Sequence, residues 1–117
     1  MDFNYKIDKK SNYAIVEMRG NILHKNQAEP MLDEVQSAVD SGVNQFVISM
    51  GEYKTLNSTA IGILVNILTK CRRSGGEATL LGVSEKNKDI LNIVKLNSIF
   101  TITDDLPSAI RDFRSGM

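Results

Sequence analysis

Phe46-Val47-Ile48-Ser49-Met50-Gly51-Glu52-Tyr53-Lys54-Thr55-Leu56-Asn57-Ser58-Thr59-Ala60-Ile61-Gly62 is the stretch that decides the fold. Its opening run, Phe46 to Met50, is apolar almost without a break, as in a buried strand. Its end starts a different period. Ile61, Leu64, Val65, Leu68 and Cys71 recur at helical spacing and predict a helix over 58–73, stopped by Gly75-Gly76. A further strand follows at Ala78 to Val83. Strand, loop, helix and strand in that order make a crossover, which calls for parallel pairing.

Upstream, Phe3, Tyr5 and Ile7 alternate with polar residues, the period of a half-buried strand. Lys9-Lys10-Ser11-Asn12 is a polar turn, and Tyr13 to Met18 forms the second arm of an antiparallel hairpin. Gly20 breaks the run, and Ile22-Leu23 is available for a short third strand. Ala28, Met31, Leu32, Val35, Ala38 and Val39 then trace an amphipathic helix with Asn26 as its expected N-cap, Pro30 in its first turn and Gly42 as its stop.

Downstream, Ser84 caps a helix carrying Ile90, Leu91 and Val94, and Ile99 to Ile102 reads as a strand. Asp104 or Asp105 caps a last helix with Pro107 in its first turn and Leu106, Ala109, Ile110 and Phe113 facing inward. The order β-β-(β)-α-β-α-β-α-β-α predicts an α/β fold: a mixed, mostly parallel sheet with an N-terminal hairpin and about four helices. The 44–50 strand should be central and the 3–8 strand at an edge. The pattern leaves open whether helices cover one face of the sheet or both.

At 117 residues and 13.0 kDa the chain reads as one domain over 1–117, able to bury about two-thirds of its unfolded surface. Fourteen basic and fourteen acidic residues cancel, so no bulk field draws nucleic acid or an anionic membrane. One Cys and one His exclude a disulfide framework and the usual zinc site, and any triad would have to use His24. No apolar stretch approaches the length of a signal peptide core or a membrane span, and with a free thiol this points to the cytoplasm. His24 reads as a loop residue and Cys71 as a buried apolar thiol. Lys70, Arg72 and Arg73 complement a helix C-terminus, and Gly75-Gly76 lacks dinucleotide-loop spacing.

Chemistry is expected where the central strand gives way to a helix, because partners of open α/β sheets meet the carboxyl ends of the strands. Asn57, Ser58 and Thr59 are three small polar residues where one helix cap is needed. Thr59, Ile63 and Ile67 share one side of the helix beside the stripe of Ile61, Leu64, Val65 and Leu68. Ile67 reads as the margin of a broad core face. Ile63 reads as exposed, and as part of a docking ridge beside the hydroxyls. An enzyme is disfavoured, since no acid–base or nucleophile–base pair can be assembled around the 51–62 loop.

With these residues the sequence resembles the STAS domain family, and within it the bacterial anti-sigma factor antagonists. The family motif Asp-Ser-Ser/Thr-Gly-Leu-Gly is matched by Asn57-Ser58-Thr59-Ala60-Ile61-Gly62. Gly20, Gly75-Gly76 and the segment Leu96-Asn97-Ser98-Ile99-Phe100 match elsewhere, so the resemblance covers nearly the whole chain. It implies a protein without catalytic activity or cofactor that binds an anti-sigma factor with kinase activity and is reset by a Ser/Thr phosphatase. The phosphorylated position falls on Thr59, with Ser58 the runner-up. Asn57, Ser58, Thr59, Ala60, Ile63 and Ile67 form the expected partner surface. Asn57 stands where the family has Asp, and Ala60 where it has Gly. The alternative is an unmodified scaffold subunit of a stressosome-like or transporter-associated complex.

Overall fold

Backbone hydrogen-bonding groups must find partners once buried, and here strands and helices supply them. The computed structural model describes residues 2–115, with side chains as far as Arg111. Its strands are β1 (Asn4–Lys9), β2 (Ala14–Gly20), β3 (Gln45–Tyr53), β4 (Glu77–Leu81) and β5 (Thr101–Thr103). Its helices are α1 (Glu29–Asp40), α2 (Ser58–Arg73), α3 (Glu85–Ile93) and α4 (Leu106–Ser115), with a 3-10 turn at Lys25–Ala28. The sheet order is β1-β2-β3-β4-β5. β1 and β2 pair antiparallel, and the remaining pairs are parallel. The expected α/β architecture holds, with β3 central and β1 at an edge.

Each crossover steps the sheet in the same direction. Right-handed crossovers therefore stack α1, α2 and α3 on one face. Ala14, Val16 and Met18 of β2, Phe46, Ile48 and Met50 of β3, and Ala78 and Leu80 of β4 point into that main core. The residues between them point the other way. Ile15, Val47 and Leu81 meet Leu106 and Ala109 of α4 in a second, smaller cluster. Both faces are thus covered, which explains the nearly continuous apolar run of β3. Phe113, expected on the inner face of α4, lies outside the described side chains.

Gly20 ends β2 at φ +80°, and a Cβ there would collide with the carbonyl of Asp2. Both the left-handed backbone and the close approach require glycine. Asp105 caps α4 by accepting the Ser108 N–H at 2.8 Å, and Ser84 caps α3 by accepting the Asn87 N–H at 3.2 Å. The backbone and side-chain bonds from Ser108 hold the Asp105 carboxyl below its usual range.

Several boundaries differ from the sequence reading. Ile22-Leu23 is not a strand, because its donors go to side chains: Ile22 N–H to the Tyr53 hydroxyl at 2.9 Å, and Leu23 N–H to Gln27 Oε1 at 2.7 Å. Asn26 is not the cap of α1. It lies inside the 3-10 turn, whose start is held by Gln27 Oε1 accepting from both Leu23 and His24. β3 runs on to Tyr53, because Arg19 and Gly20 continue the ladder opposite Glu52 and Tyr53. Ile99 and Phe100 belong to the turn before β5, and Phe100 is buried under the main core rather than paired. Val94, placed in this helix by the sequence reading, lies just past its end at Ile93, and both residues are exposed.

Candidate functional site

The extension of β3 leaves only Lys54 to Asn57 as the loop into α2. That loop is tied down at every residue. Lys54 N–H donates to Gly20 O at 2.9 Å, and Thr55 N–H to Asn21 Oδ1 at 2.9 Å. Leu56 N–H donates to Oδ1 of the buried Asn87 at 2.9 Å, and Asn87 Nδ2 returns a bond to Lys54 O at 3.1 Å. The Tyr53 hydroxyl accepts from Ile22 N–H, and burial pushes its pKa up.

Asn57 closes this network. It sits extended at φ −119°, ψ 178°, and its Oδ1 accepts the Ala60 N–H at 2.8 Å, an N-cap bond. Its Nδ2 donates to Ile22 O at 2.8 Å. One side chain thus caps α2 and pins the segment after β2. An ionised Asp could make the first bond but has no donor for the second.

Ser58 and Thr59 follow as the first two residues of α2. Ser58 is exposed and Thr59 half-buried, while Ala60 is buried. The cap takes the N–H of Ala60, which leaves those of Ser58 and Thr59 without an intrahelical acceptor. A groove of about 300 Å³ opens beside them, lined by Lys25, Ser58, Thr59, Gly62, Ile63 and Asn66. At Gly62 and Asn66 it meets a second hollow of about 380 Å³ that reaches Thr69, Lys70 and Arg73. Among the described residues, none that lines either hollow is acidic.

Ile63 overturns an expectation. It is 3% exposed, and Ile67 is fully buried. α2 packs against β4 and also against α1 and the 3-10 turn. Its buried arc therefore spans both stripes and turns towards Ala60, Ile63, Ile67 and Cys71, while Val65 at the far margin is only half-buried. Ala60 and Ile67 are fully buried as well, so these two also drop out of the expected partner surface, and for Ile67 the broad core face is the reading that holds. Burial, with a smaller contribution from Glu77, pushes the Cys71 thiol up to about 12.

The exposed apolar residue near the site is Leu23, at 59%. It directly follows Ile22, whose carbonyl Asn57 holds. The sequence signal was the Ile22-Leu23 pair itself: in extended chain one neighbour faces in and the other out. Lys25 was missed as well, since nothing in the local pattern points its side chain at α2.

The STAS domain matches residues 4–109. The chain belongs to the STAS domain family. A Thermotoga maritima protein, provisionally named an anti-sigma factor antagonist, is 28% identical over 76 residues, covering 65% of this chain and 67% of that one. The crystal structure of a protein from the same organism, under the same provisional name, superposes with a TM-score of 0.77 at 24% identity, covering 96% of this chain and 94% of the other. SpoIIAA, a Bacillus cell fate determinant, shares the fold at 12% identity in two solved states. The unphosphorylated form has a TM-score of 0.77 (97% and 98% coverage) and the phosphorylated form 0.71 (93% and 97%). Its similar proteins thus include anti-sigma factor antagonists and a protein provisionally named as one. No helix among its described residues is long and apolar enough to cross a membrane.

Proposed function

We propose that this STAS domain binds an anti-sigma factor that is also a kinase, releases it when Thr59 is phosphorylated, and is reset by a Ser/Thr phosphatase. Ser58 is the second candidate acceptor. The carrying observation is the position of Thr59: the second residue of α2, capped by Asn57, beside an open groove whose described lining holds no acidic residue. In the transfer, Thr59 Oγ1 would attack the γ-phosphorus of ATP, the bond to the β-phosphate oxygen breaks, ADP leaves, and the hydroxyl proton passes to a base on the kinase. The phosphate adds about −1.5 to −2 charge. At a helix N-terminus the macrodipole and free N–H groups favour that charge, so the fold tolerates it. In an interface the same charge must be desolvated, so the complex does not. Folding and binding answer differently to one group.

The partner surface in this reading consists of Asn57, Ser58, Thr59, Gly62 and Asn66, with Leu23 as its apolar element. Ala60, Ile63 and Ile67 support it from beneath. Gly62 favours the assignment. It is exposed, and a Cβ there would meet nothing within 4 Å, so the fold does not demand a residue that weakens the helix. A bare backbone allows close approach of a partner.

The test is phosphosite mapping after reaction with the cognate kinase and ATP. Label on Thr59, lost in Thr59→Ala with the partner still bound, is the expected result. Label on Ser58 would move the site by one residue. Label on neither, with an active kinase, would place the protein among unmodified scaffold subunits.

A further inference from the structure

We infer that Lys25 is the built-in counter-ion of phosphorylated Thr59, so that phosphorylation also withdraws a cation from the docking surface. The inference rests on Thr59 as the acceptor. Lys25 and Thr59 line one groove, and among the described residues Lys25 is the single charged one lining it. The others, Ser58, Gly62, Ile63 and Asn66, are neutral. Lys25 has no salt bridge among the described residues and is exposed. At about 300 Å³ the groove has room for roughly ten waters at ~30 Å³ each, ample for a phosphate.

The juxtaposition is held by bonds on both sides of Lys25. Before it, Ile22 O accepts from Asn57 and Ile22 N–H donates to Tyr53. After it, Gln27 Oε1 accepts the N–H groups of Leu23 and His24, which fixes the 3-10 turn. The segment carrying the cation is therefore fastened to the cap of the helix carrying the hydroxyl. Without phosphate, Lys25 is free to meet a carboxylate of the partner. With phosphate, the dianion offers it a charge-assisted partner on its own chain. One modification thus adds negative charge and removes the positive charge opposite it.

The test installs phosphothreonine at position 59 by genetic-code expansion, without a kinase, and follows its second ionisation by ³¹P NMR. Three chains are compared: native, Lys25→Met and Lys25→Arg. An ordinary phosphothreonine has its second pKa near ~6. An adjacent cation favours the dianion, so the native chain should titrate lower than Lys25→Met by about half a unit or more, with Lys25→Arg close to native. His24, the neighbouring imidazole, is the same in all three chains. Melting of the unphosphorylated chains should be alike, since Lys25 is exposed. Equal titration of native and Lys25→Met would overturn the counter-ion role and leave Thr59 phosphorylation standing. Failure of phosphosite mapping would overturn that reading without touching the titration.

Discussion

Along α2, Ala60, Ile63, Ile67 and Cys71 are shut off from solvent, whereas Ser58, Gly62 and Thr69 on the opposite arc are exposed. The inner arc carries large apolar side chains and a thiol whose ionisation burial suppresses. The outer arc carries small polar residues, a glycine, and cations at both ends of its groove. Stability therefore resides on one arc and recognition, in the proposed reading, on the other. Thr59 lies at their boundary, which lets a charge added there reach a partner without entering the core.

The strongest way to break this division is Ile63→Lys. A surface position would tolerate it. At 3% exposure the ammonium has to be desolvated without a partner, and the transfer energy of a buried isoleucine is lost as well. A loss of about 3 kcal/mol or more in urea unfolding is expected. A loss below about 1 kcal/mol would return Ile63 to the docking surface.

Asn57→Asp probes the hinge between the arcs with a smaller effect. Asp keeps the cap to Ala60 and gains about 0.3–1 kcal/mol from the helix dipole. It loses the bond to Ile22 O and leaves that part-buried carbonyl unpaired, at about 1–3 kcal/mol. The balance is a net loss of about 1 kcal/mol, measurable as a lower denaturation midpoint. An unchanged or raised midpoint would show that the Ile22 bond carries nothing. A neutral Asn thus stands in the motif because it holds two segments together, which a carboxylate cannot do.

The periodic parts of this fold were legible because periodicity records which side of an element is buried. The 58–73 helix, the apolar run of β3 and the Ser84 cap all followed from local pattern. Spacing does not record how many neighbours an element has. Ile63 was misplaced for that reason: the stripe centred on Leu64 anticipates a sheet, and α1 with the 3-10 turn supplied a second wall. The Ile22 to Gln27 segment was illegible for another reason. Two of its bonds run to the distant Tyr53 and Asn57 side chains, which no rule of local spacing announces, and the Gln27 bond to the His24 N–H has capping-box spacing two residues before the Asn26 cap that was expected. The motif located Thr59; only the folded arrangement brought Lys25 beside it.

The smallest expected effect has the opposite sign, and it sharpens the comparison most. Glycine inside a helix is less favourable than alanine by about 0.8–1.0 kcal/mol. Gly62 has no left-handed backbone, and a Cβ there meets nothing within 4 Å. Gly62→Ala should therefore stabilise the protein by about 0.5–1 kcal/mol, read as a melting temperature higher by roughly 2–6 °C for a domain near 100 residues. Gly62→Gln should also fold, since its side chain can extend into the open groove. Partner affinity should move the other way, falling slightly for Ala and steeply for Gln as the shared floor of the two hollows is filled. A stabilised variant that binds less well would mean that the glycine serves contact at the expense of the helix. If both variants bind as tightly as the native chain, the outer arc is not the docking surface, and the partner must approach from the Leu23 side of the loop instead.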